Sequence, residues 1–169
     1  MADIDEIESG DIGANGSDET PQVGIIAQYV KDLSFENPRA PQIFQSEGQP
    51  QLNVSINVNA TRVSDDVYEV VLRIAAQAET DGQTSFAVEL LYGGLFGLRN
   101  VPEGALQPFL LVEAPRLIFP FARRIVADAT RDGGFPPLLL EPIDFAALYL
   151  AQTENGQAQA PTGSGIGNA

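Results

Sequence analysis

The chain has 169 residues, 44% of them apolar, enough for one domain with a real core. It holds no cysteine and no histidine, which excludes a disulfide framework, any Cys or His metal site and every nucleophile–histidine arrangement of enzyme chemistry. With 23 acidic against 9 basic residues the formal charge is −14, which repels nucleic acid and anionic lipid and favours cationic partners.

The opening Met1–Glu8 carries neither a basic region nor an apolar run, so no secretory signal is expected and the cytoplasm is the expected location. Residues 1–20 are acidic and rich in Gly, Ser and Asp, and residues 153–169 are rich in Gly, Gln and Ala. Both read as disordered tails around a folded unit at 21–152.

Gln22 to Phe35 reads as a first strand, ragged at Ile25-Ile26, with Tyr29, Leu33 and Phe35 on one face and Asp32, Ser34 and Glu36 on the other. The following stretch, 37–50, contains three prolines, which cannot donate to a ladder, so it is a crossover loop. Leu52, Val54, Ile56, Val58 and Ala60 then alternate with polar residues in a strand with one wet face. Asp65-Asp66 makes a turn. From Val67 to Phe96 the same alternation describes a hairpin, Tyr68 to Ala78 and Phe86 to Tyr92, around the tight turn Asp81-Gly82.

A helical pattern covers roughly Ala105 to Arg131, interrupted by Pro108, Pro115 and Pro120. Leu117 or Ile118, Phe121, Ala122, Ile125 and Ala129 recur at three- and four-residue spacing, and Gly133-Gly134 supplies the stop. An apolar connector from Phe135 leads to Asp144, placed to cap a short helix bearing Phe145, Leu148 and Tyr149. The apolar stretches 106–122 and 135–151 are broken by prolines and charges and would not insert in a bilayer. One small sheet cannot hide this helix and Leu138-Leu139-Leu140 together, so burial between copies is inferred, with Leu117, Ile118, Phe121 and Ile125 as the interface.

The residue inventory leaves one catalytic arrangement, a carboxylate pair such as Asp65-Asp66 or Asp32 with Glu36. Asp65-Asp66 lies between two strands, where turns demand such residues. Gly93-Gly94 with Gly97 is not followed by Gly-Lys-Ser/Thr, so no nucleotide loop is read there. No enzymatic activity, metal or cofactor is expected.

Five segments resemble the SecB family of bacterial protein-export chaperones in order and spacing: Tyr29–Pro41, Asp65–Arg73, Gly93-Gly94 with Phe96, Leu117–Arg123 and Gly134–Tyr149. The resemblance implies an α+β fold: a four-stranded antiparallel Greek-key sheet, one long kinked helix and one short C-terminal helix, in a homotetramer built as a dimer of dimers. It further implies an ATP-independent chaperone that keeps unfolded preproteins competent for translocation and delivers them to the SecA ATPase. Carried over residue by residue, the SecA-binding face is Asp32, Glu36, Ala87 and Glu89. The client groove is placed between the crossover loop, the sheet and the short helix, lined by Ile43, Phe44, Leu52, Val54 and Phe145. Many members carry Trp just before the Gln-Pro of the crossover; here Gly48 stands in its place. Two other readings are a SecB-like chaperone serving other clients, such as a toxin–antitoxin system, and a peptide-binding β-domain without chaperone activity.

Overall fold

The computed structural model describes residues 19–158, so the parts of the two expected tails at 1–18 and 159–169 lie outside the described residues. The alternating segments form four long strands, β1 (Gln22–Glu36), β2 (Gln51–Ser64), β3 (Val67–Thr80) and β4 (Gln83–Arg99). Their order across the sheet is β1-β4-β3-β2, every neighbouring pair antiparallel. Three strands joined by hairpins and a first strand returned beside the last make a Greek key. The β3–β4 turn is closed by Asp81 and Gly82 at φ 55° and 73°, the left-handed pair that matches strand twist.

From Gln51 to Arg62 on β2, along β3 and from Phe86 onward on β4, side chains of even-numbered residues point to one face and those of odd-numbered residues to the other, while register shifts at Val63 and Ser85 put Ser64 and Thr84 with the odd set. Over the even face lies a continuous helical run: α1 (Glu103–Pro108), a π-helical turn (Phe109–Glu113) and α2 (Ala114–Asp132). Pro115 falls where the π-helical turn passes into α2, and Pro120 lies inside the helix on its exposed side. α2 crosses β4 and β3. The core forms there, from Leu72, Ile74, Leu90 and Phe96 beneath Ile118, Ala122 and Val126. Each such large side chain contributes about 1.5–3 kcal/mol on burial.

The stop at Gly133-Gly134 is a Schellman closure: Phe135 N–H donates to Thr130 O at 3.1 Å, Gly134 N–H to Arg131 O at 3.0 Å, with Gly134 at φ 89°. The buried Thr130 hydroxyl accepts from Leu138 N–H at 2.9 Å and ties the connector to α2. Asp144 caps α3 (Phe145–Ala158) through Oδ1, which accepts from Ala147 N–H at 3.0 Å. This helix runs through Thr153 to Ala158, into the stretch whose composition reads as a tail. The Thr153 hydroxyl donates to the carbonyls of Tyr149 and Leu150, and the ladder continues past it.

One face assignment is corrected. β1 has register shifts between Ile25 and Ala27 and between Val30 and Asp32, so Ile26 and Lys31 are extra residues opposite β4. The bulge at Lys31 reverses the alternation. Tyr29 therefore pairs with Gly93 and points to the odd face, with Asp32 and Glu36, while Leu33 and Phe35 point to the helix side.

Candidate functional site: a groove and an open sheet face

The first surface is a groove of about 350 Å³ between the crossover loop, the end of β2 and the connector after α2. Ile43, Gly48, Pro50 and Leu52 form one side and Phe135, Pro136, Pro137 and Leu138 the other, above a floor of Ala78 and Phe86. Arg39 holds the loop by donating Nη1–H to Thr80 O at 3.2 Å, and Asn37 anchors its start through Nδ2–H to Gly133 O at 3.1 Å. At the groove wall the hydroxyls of Thr80 and Ser85 lie 2.7 Å apart, a buried polar pair in a mostly apolar lining.

Phe135 is the hub of the aromatic wall. Its ring centroid lies 4.9 Å from Phe86, 5.6 Å from Phe44 and 6.5 Å from Phe35, within the range of favourable ring contacts. Sequence reading took this residue as part of an extended connector. Its position directly after the left-handed Gly134, where Schellman closures place an apolar contact, is the signal that could have found it. Gly48 has no room for a side chain: an added Cβ would stand 2.6 Å from Thr80 Cγ2 and 3.0 Å from the Asp81 carboxylate.

Of the five residues expected in the groove, Ile43 and Leu52 line it and Phe44 borders it through Phe135, itself 51% exposed. Val54 follows on the same face of β2, outside the lining. Phe145 is a correction. It is 1% exposed and packs edge-on against Phe119 at 5.9 Å, in the core under α2, because the cap at Asp144 starts α3 with its first residue turned inward.

The second surface is the odd face of the sheet, bare of helices. Cross-strand register puts Asp32, Glu36, Ala87 and Glu89 on it. Arg73 also stands there and meets Glu89 at 3.0 Å. Toward the other end, Tyr29 lays its ring over Gly93 and donates its hydroxyl to Glu69, which also receives Lys31 at 2.7 Å. Burial, then the hydrogen bond to Glu69, pushes the Tyr29 phenol up to about 12, while Lys31 first and Tyr29 second hold the Glu69 carboxyl below its ordinary range.

The third surface is the flank of α2. Leu117 and Phe121 are 44% and 46% exposed, one turn apart, and Ile125 is half-buried. Ile118 is a further correction: it is fully buried against its own sheet, its Cγ2 reaching to 3.1 Å from where a Cβ at Gly94 would be. On the helix side of β1, Val30 and Leu33 are also exposed, because α2 does not reach that far.

An apolar groove, a charged sheet face and an uncovered helix flank on one α+β scaffold define a protein whose exposed chemistry is that of binding. The family model described as preprotein translocase subunit SecB matches residues 16–156. The chain is 54% identical to the protein-export protein SecB of Sphingopyxis alaskensis over 97% of its own length and 96% of that relative. It is 58% identical to the SecB of Rhizorhabdus wittichii over 92% and 94%, and 56% identical to that of Zymomonas mobilis over 82% and 84%. Its fold matches that of a Mycobacterium tuberculosis SecB-like chaperone, solved in complex with a peptide from an antitoxin, at a TM-score of 0.59 and 16% identity over 72% of this chain and 90% of that one. The chain belongs to the SecB family and is a protein-export chaperone. Among the described residues no helix is long and apolar enough to cross a membrane.

Proposed function

We propose that this chain works in the cytoplasm as a homotetramer, without ATP and without catalysis, holding unfolded preproteins in the aromatic groove and passing them to SecA from the open sheet face. The groove carries this reading. An apolar channel of about 350 Å³ that is open to solvent suits the side chains of an unfolded polypeptide, at roughly 25 cal/mol per Å² buried and with no sequence to read. Each subunit's hold is weak, and several grooves engaging one client raise it through effective concentration. The exposed pair Leu117 and Phe121 and the bare apolar stretch of β1 support assembly between copies. Asp32 and Glu36, on the face opposite the helix layer, support a cationic partner segment there.

The decisive residue is Phe44, half exposed and tilted against the hub ring. Phe44→Ala is expected to weaken the binding of a urea-unfolded precursor about tenfold, measured by calorimetry, with little loss of thermal stability. Equal affinity in the two proteins would remove the groove from client binding. A chain that held unfolded precursor but showed no affinity for purified SecA would instead serve clients outside export.

A further inference from the structure

The three acids carried over to the partner-binding part of this face are not equivalent. Glu89 is engaged by Arg73 through two charge-assisted hydrogen bonds, Nη2–H to Oε2 at 3.0 Å and Nε–H to Oε1 at 3.3 Å. Asp32 and Glu36 are exposed and join no ion pair of the described residues. Register puts Arg73 and Asp32 in one row, since both lie opposite Leu91 from the two sides of β4. Two strand spacings separate them, about 10 Å, a gap that an arginine and an aspartate side chain can close between them. Freed from Glu89, the guanidinium would find Asp32 as its next carboxylate.

We propose that Glu89 is a positioning residue: it pins Arg73 on the β3–β4 side of the face and so leaves the carboxylates of Asp32 and Glu36 open to a cation of the partner. Beside the pair lies a hollow of about 480 Å³, with Ala75 and Ala87 among its lining and Glu36 at the β1 side. A lysine or arginine side chain fits this chemistry, its aliphatic stem on the two alanines and its head at the Glu36 carboxylate. Arg73 held flat against Glu89 keeps the positive charge away from that entry.

The inference rests on the reading of this face as the SecA contact, and the experiment separates the two. Purified SecA is titrated into wild type, Glu36→Gln, Glu89→Gln and the double variant Arg73→Gln/Glu89→Gln, with tetramer size and thermal midpoint checked for each. Both single variants are expected to bind at least about tenfold more weakly, and the double variant to return within about threefold of wild type, because no guanidinium remains to occupy Asp32. A structural loss would show in tetramer size or thermal midpoint, which are expected to stay at wild-type values in every variant. If the double variant stays as weak as Glu89→Gln, Glu89 meets SecA itself and the positioning role is overturned while the face stands. If Glu36→Gln binds as tightly as wild type, the face is not the contact, and both readings fall.

Discussion

Tyr29 shows how much a single side chain can fix on a flat sheet. It reaches from β1 across β4 to Glu69 on β3, and its ring occupies the space above Gly93, where an added Cβ would stand 2.4 Å from Cε2. Gly93→Ala must therefore displace the ring and break the bond to Glu69, at an expected cost of about 1–3 kcal/mol. At Gly24 an added Cβ meets nothing within 4 Å, so Gly24→Ala serves as the near-neutral control in the same denaturant titration. The cluster also sets a pH dependence. Glu69, held low in the folded protein, contributes stability at neutral pH that fades as the medium is acidified through its folded value. Tyr29, raised from 10.0 to about 12, contributes stability that is complete below pH 10 and lost as the pH climbs through its folded value. Wild type is thus expected to lose stability relative to Tyr29→Phe between those two pH values, measured by urea midpoint, and parallel curves for the two proteins would remove the phenol from the account.

At the scale of elements, the strands were legible because their burial has period two over long runs, so β2, β3 and β4 follow the alternation of Leu52, Tyr68 and Phe86 onward. The bulge at Lys31 was not legible: one extra residue carries no sequence mark, and it moved Tyr29 to the opposite face. The helix was found from its spacing, but Leu117 and Ile118 are neighbours about 100° apart on the helix, and spacing alone could not say which turns outward. The groove was half legible. Ile43 and Leu52 declared themselves as apolar residues beside a proline-rich loop, whereas Phe135 enters from a segment about ninety residues away in the chain, which no local pattern reports. Leu117→Ser with Phe121→Ser is expected to shift the assembly to smaller species by light scattering at micromolar concentration while the fold persists, since both side chains are already wet. Ile118→Ser is expected to lower the thermal midpoint sharply. An unchanged mass for the double variant would place the interface elsewhere.

The whole molecule couples a sheet whose strands end at Arg99 to a groove that waits for residues 135–138. Strands β1 to β4 are complete by Arg99, and their pairings require nothing downstream. The groove draws on residues 43–52, on the hairpin around Thr80 and Phe86, and on residues 135–138. Its second wall is therefore among the last parts of the described chain to leave the ribosome. Until Phe135 and Leu138 emerge and are fastened to α2 by Thr130, the emerging chain can have a sheet and no channel. The capacity to hold another polypeptide is in this way tied to the emergence of residues 135–138, and a fragment released before them would have one wall of its groove missing.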